Sequence, residues 1–205
     1  MANKSLQHSS LTDNIFYRSM LAGNDAYFPE FESDDFLEEV VLSSSASSVT
    51  FSGLASYATA GYKHLQIRAI SRTDRGSFSD NVSITINGNS GANYSWHYLF
   101  SNSSSPISSG STSQNAMSGM FTAGSTAAAN AFGSLVADFL DFNNSSTNTT
   151  MRALSGYNDP ANTGRIALGS GLFVNTSAVS SIAIAPRFGT NYVTGSRFSL
   201  YGSKG

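Results

Sequence analysis

Polar and apolar residues alternate with a period of two over long stretches of this chain, from about residue 38 onward. The clearest run is 62–72. One face carries Lys63, Leu65, Ile67, Ala69 and Ser71; the other carries Tyr62, His64, Gln66, Arg68, Ile70 and Arg72. In 82–86 the apolar Val82, Ile84 and Ile86 separate from the hydroxyls of Ser83 and Thr85. Such alternation sets one face in a core and the other against water or a partner. The same pattern predicts strands over 38–42, 48–51, 62–72, 82–87, 92–100, 116–122, 132–142, 150–157, 165–174, 179–185 and 197–201. Turn chemistry separates them, as in Asn87-Gly88-Asn89-Ser90-Gly91 and Asn158-Asp159-Pro160. About eleven short strands with frequent turns define an all-β body, a two-sheet, jelly-roll-like β-sandwich. Segments 101–113 and 143–148 read as long mobile loops, and the alanine-rich 125–131 as a single helical turn.

Residues 1–37 lack this pattern and read as an extended N-terminal arm, leaving 38–205 as the body. Leu11, Ile15, Phe16, Met20 and Leu21 are spaced loosely as on a short helix. Farther on, Tyr27, Phe28 and Phe31 cluster around Pro29, which holds its neighbours extended. Those three rings are candidates for docking the arm, either on another subunit or on their own domain.

Composition narrows the function classes. Only 12% of the 205 residues are charged, about half the usual share, yet Phe and Tyr are abundant. The chain should therefore fold rather than stay disordered. It has no cysteine, which removes disulfides and thiolate chemistry. Residues 1–11 hold no apolar core of a signal peptide, and no run reaches the length of a membrane span. The expectation is synthesis in the cytoplasm without membrane insertion. Residues 1–39 carry eight acids and two bases, whereas 40–205 carry five acids and nine bases. The basic residues of the body are scattered, which argues against nucleic-acid binding and suits an acidic arm on a neighbouring subunit.

Residues that usually carry chemistry are few. There is no nucleophile elbow, phosphate-binding glycine loop or zinc-protease motif. The histidines, His8, His64 and His97, do not sit at metal-ligand spacing; His64 and His97 could meet across neighbouring strands, more simply as hydrogen-bonded sheet histidines than as a metal site. Asp138 and Asp141 stand three apart, which on a strand turns them to opposite faces and away from a glycosidase-like pair. Pairing of one of them with Arg68 or Arg152 is the plainer role. The 87–93 turn offers oxygen ligands without a carboxylate, and so reads as a loop, not a calcium site. No cofactor, metal or catalytic residue is assigned, and the chain reads as non-enzymatic. Tyr94, Trp96 and Tyr98 alternate along one face of one strand, as a sugar-stacking platform or as a row of core or interface rings.

Several spaced strings carry a family resemblance. They include Tyr62-Lys63-His64-Leu65-Gln66-Ile67-Arg68 with Arg72, and Asn87-Gly88 through Gly91, Asn93-Tyr94 and His97. Further on come Ala129-Asn130 with Phe132-Gly133, then Asp138 with Asp141-Phe142 and Asn144. Gly171-Leu172-Phe173 and Ser177-Ala178-Val179 with Ile182 follow, and the ending Gly195-Ser196-Arg197-Phe198-Ser199-Leu200-Tyr201-Gly202 is the most characteristic. Over 38–205 the chain resembles bacteriophage virion structural proteins described as tail-fibre, minor tail or decoration-type. Phe173 stands where tryptophan is more usual. The resemblance implies a β-sandwich on a phage particle and no catalytic residues. A chain this short suits a capsid decoration (cement) protein, assembling with itself, as a homotrimer, and with the major capsid protein or other virion proteins. The alternative is a tail-fibre or tail-tip subunit that binds a host-surface glycan or receptor.

Overall fold

The computed structural model of the protein describes residues 34–102, 105–160 and 164–204. Among these the chain forms twelve strands and one short helix. They are β1 (Asp35–Val41), β2 (Val49–Ser52), α1 (Ala55–Thr59), β3 (Tyr62–Ser71), β4 (Ser79–Ile86), β5 (Tyr94–Ser101) and β6 (Pro106–Gln114). Then follow β7 (Met117–Ala123), β8 (Gly133–Phe139), β9 (Thr149–Tyr157), β10 (Arg165–Phe173), β11 (Ser181–Pro186) and β12 (Arg197–Lys204). Eight strands make one sheet in the order β1-β12-β3-β8-β9-β10-β5-β6; four make a second in the order β2-β11-β4-β7. The strand pairing is antiparallel throughout, and the fold is the all-β, two-sheet sandwich that the alternation predicts.

The period-two faces fall as read. On β3, Leu65, Ile67 and Ala69 are buried while the intervening residues turn outward. Leu135, Ala137 and Phe139 of β8, Met151 and Ala153 of β9, and Phe198 and Leu200 of β12 join them on the inner face of the large sheet. Val49, Phe51, Val82, Ile84, Ile86, Ile182 and Ile184 answer from the small sheet. Strand β7 is different, being buried along its whole length. It seats closely because the inward positions of β10 include Gly169 and Gly171, where an added methyl at Gly171 would run into the Met117 thioether. Four strands cannot cover eight. Beyond β7, the edge of the small sheet, the inner face of β5 and β6 is left partly open.

Four local readings are corrected. Most of 101–113, expected as a loop, belongs to edge strand β6, which runs from Pro106 to Gln114 and pairs with β5 from Tyr94↔Gln114 to Ser101↔Pro106. Its serine-rich side chains are mostly exposed and its order comes from main-chain pairing, which leaves no apolar signature. The 125–131 segment is a series of turns instead of a helical turn: the Arg72 guanidinium takes the carbonyls of Ser125, Ala127, Ala128 and Ala131, at 3.0, 2.9, 2.7 and 3.1 Å. Helix α1 was not foreseen. Strand β1 begins at Asp35, three residues before the expected start, with Asp35 accepting from the Tyr62 hydroxyl at 2.9 Å and Phe36 packing edge-on against Tyr201.

Candidate functional site: an aromatic and arginine groove

On β5, Trp96, Tyr98 and Phe100 point to the inner side at two-residue intervals and are half-buried. Trp96 and Tyr98 stack with centroids 5.2 Å apart and planes 17° from parallel; Tyr98 and Phe100 follow at 5.5 Å. Phe121 of β7 closes the row, 6.1 Å from Tyr98 and 5.0 Å from Phe100. Tyr98 has room because it lies on Gly119, which combines a φ of 100° with a position where any Cβ would overlap the tyrosine ring. Both requirements select glycine.

Arginines stand around these rings. The Arg165 guanidinium is 4.9 Å from the Phe121 centroid, 5.2 Å from Phe78 and 5.4 Å from Phe100, within cation–π range. Its Nε is buried without a hydrogen-bond partner, as is Nε1 of Trp96. Arg75 donates to the Ser79 carbonyl at 3.0 Å and lies over the ring of Phe188, which Arg187 approaches from 5.9 Å. Phe188 itself is 61% exposed. Together these side chains line a groove of about 480 Å3, edged with the polar Ser77, Ser79, Asn81 and Ser118 and with no carboxylate among its lining residues.

The rim loop that carries Arg187 and Phe188 is held by two carboxylates. Asp80 accepts from the amides of Phe188 and Gly189 at 3.2 and 2.9 Å, and Asp74 from those of Thr190 and Asn191 at 2.7 and 3.0 Å. A Cβ on Gly189 would come within 2.9 Å of both carboxylates, so only glycine passes between them. The Asn191 amide holds the Asp74 carboxyl below the ordinary carboxylate range; partial burial opposes it, and the Thr190 amide and Asn191 side chain add to it. Asp80 is fully buried, spent on this loop and on Arg75 at 3.7 Å.

The structure separates the expected platform. Trp96 and Tyr98 lie in the groove, but Tyr94 is core: it is 1% exposed, stacked on Phe173 at 4.8 Å. Its hydroxyl accepts from the Ile86 amide and donates to the Asn89 carbonyl, both at 2.9 Å, and burial pushes the phenol up from its usual range. The third ring of the ladder is Phe100. Alternation on β5 continues to Phe100 and held that signal; Arg75, Arg165, Arg187 and Phe188 come from distant segments and left none. Tyr27, Phe28, Phe31 and His8 lie outside the described residues.

The other candidates resolve plainly. His64 and His97 do not meet, since β8, β9 and β10 stand between their strands. His64 Nδ1 accepts from the Asp141 amide at 3.0 Å. Asp138 takes Arg152 at 2.8 Å and the Gln66 amide at 2.7 Å, the structural pairing expected of it. In the 87–93 turn, the Asn87 side chain is committed to Ala178, Ser180 and Ser181. Among the described residues no three His, Asp or Glu side chains gather as a metal site, and no helix is long and apolar enough to cross a membrane.

Compared with known protein families, curated proteins and solved structures, the chain matches none. Fold and site therefore define it only as a class: an all-β sandwich with stacked rings and arginines along an uncovered inner edge.

Proposed function

We propose that the chain is a non-enzymatic structural protein of a bacteriophage particle, a capsid decoration protein that self-associates as a trimer and attaches through residues 1–37. The resemblance carried by residues 38–205 supports the particle. Self-association rests on one observation, the outer face of the eight-stranded sheet. There Val136, Leu154, Leu168 and Leu99 lie directly opposite one another on β8, β9, β10 and β5. They are 37–59% exposed, and Ile166 and Ile70 extend the patch. At about 4.8 Å per strand the row runs roughly 14 Å, a contiguous apolar surface of the kind that marks an interface. The adjacent row is charge-balanced by Asp138 and Arg152, so a second copy meets no net repulsion. Light scattering of the full chain is expected to give about 65 kDa, three times 21.6 kDa. Leu154→Lys with Leu168→Lys should return it to a monomer that keeps the far-ultraviolet circular dichroism spectrum of the folded chain. A wild-type monomer at concentrations on the order of 100 μM contradicts self-assembly through this face.

A second reading is favoured by the groove: a tail-fibre or tail-tip subunit that binds host-surface glycans. Stacked, half-exposed rings beside hydroxyl and amide groups are a surface for sugar rings. Binding to a broad glycan panel that Trp96→Ala abolishes is the expected result; a panel without any binder argues against this reading.

A further inference from the structure

Resting on the glycan-binding reading, we infer that the groove is selective for acidic carbohydrate: a sugar ring packed against the Trp96–Tyr98 stack, with its carboxylate or sulfate held by Arg165 and Arg187. Charge carries the argument. Three guanidiniums line the groove and no carboxylate does. Among the described residues, Arg75 is the one of the three within ion-pair distance of an acid, and that acid, Asp80, is buried and turned to the rim-loop amides. Of the four described arginines elsewhere on the body, three are paired with acids, Arg68 with Asp34, Arg152 with Asp138 and Arg197 with Glu39, and Arg72 is held by four carbonyls. Among the described residues, neither Arg165 nor Arg187 forms an ion pair. A guanidinium takes a carboxylate through paired, charge-assisted hydrogen bonds, and the field in a concave site is not averaged out by solvent as on a flat surface.

Two further features point to a ligand that is also a hydrogen-bonding ring. Nε of Arg165 and Nε1 of Trp96 are buried donors without acceptors, which a folded protein normally satisfies. These two atoms have no surface in the groove, but its edge is made by Ser77, Ser79, Asn81 and Ser118, whose hydroxyl and amide groups can pair with the hydroxyls of a sugar. Exposed Phe188 sits on a loop fixed by four amide–carboxylate hydrogen bonds, so a second ring stands at the rim at little ordering cost. A nucleic-acid strand fits less well. It needs cations that track a backbone beyond one pocket, and Arg68, Arg152 and Arg197 are occupied by acids.

Trp96 is the single tryptophan of the chain, so its fluorescence reports on this site alone. The full chain should be titrated with a uronic-acid oligosaccharide, a sulfated oligosaccharide, a neutral oligosaccharide of equal length, and a ten-residue oligothymidylate. Saturable change in Trp96 emission is expected with at least one acidic sugar, about tenfold or more tighter than with the neutral one. Comparison of the two acidic sugars identifies which anion the arginines take. Arg187 lines the groove and forms no ion pair among the described residues, so Arg187→Gln should remove that preference at an unchanged melting temperature. Equal affinity for acidic and neutral sugars overturns the acidic selectivity and leaves the glycan site standing. Binding of no sugar overturns both, and tighter binding of the oligothymidylate replaces the sugar by a nucleic-acid strand.

Discussion

At the scale of the residue, the groove depends on side chains whose roles are set by neighbours remote in sequence. Asp74 makes this measurable. Its carboxyl is held below the ordinary value of 3.8 by the amides of the rim loop. A depressed folded-state pKa adds stability that is present above the unfolded value and is lost as pH falls through the lower folded one. The urea midpoint should therefore drop as pH falls below about 4, and Asp74→Asn should flatten part of that drop. Because the carboxyl is largely exposed, the effect is modest; an identical profile for the variant contradicts the assignment. Tyr94, Trp96 and Tyr98 show what one strand can reveal. Alternation placed all three on one side of β5, but the small sheet and the β4–β5 turn cover only the first ring, and that cover is invisible in a local pattern.

At the scale of the element, strands with an apolar inner face were legible and those without one were not. Strands β3, β4, β8 and β9 announce themselves by alternation, because each buries every second residue. Strand β6 has no such face, and its hydrogen bonds to β5 are blind to side-chain type. The 125–131 segment failed for a different reason. Alanine favours helix, but a single guanidinium organises its carbonyls from outside, and Asn130 adopts a left-handed φ of 62°. Arg72→Met should cost about 1.5–3 kcal/mol in urea denaturation and open the 125–131 turns to protease. Arg72→Lys, lacking the planar fork, should restore only part. An unchanged midpoint in Arg72→Met denies the guanidinium this organising role.

At the scale of the whole molecule, two surfaces of the described body differ in character. The outer face of the eight-stranded sheet offers flat aliphatic area suited to another copy, whereas the uncovered inner edge is concave, aromatic and cationic. Neither was legible as a surface: Leu99, Val136, Leu154 and Leu168 read as ordinary strand residues until register placed them side by side. The decoration and tail readings share this anatomy and differ in how many copies a particle carries. The most direct measurement is quantitative mass spectrometry of purified particles of the phage proposed to carry this chain, counting it against the major capsid protein. Hundreds of copies are the predicted result, as a capsid decoration protein requires. A few to a few dozen would move the chain to a fibre or tip, and absence from the particle would contradict the proposed function outright.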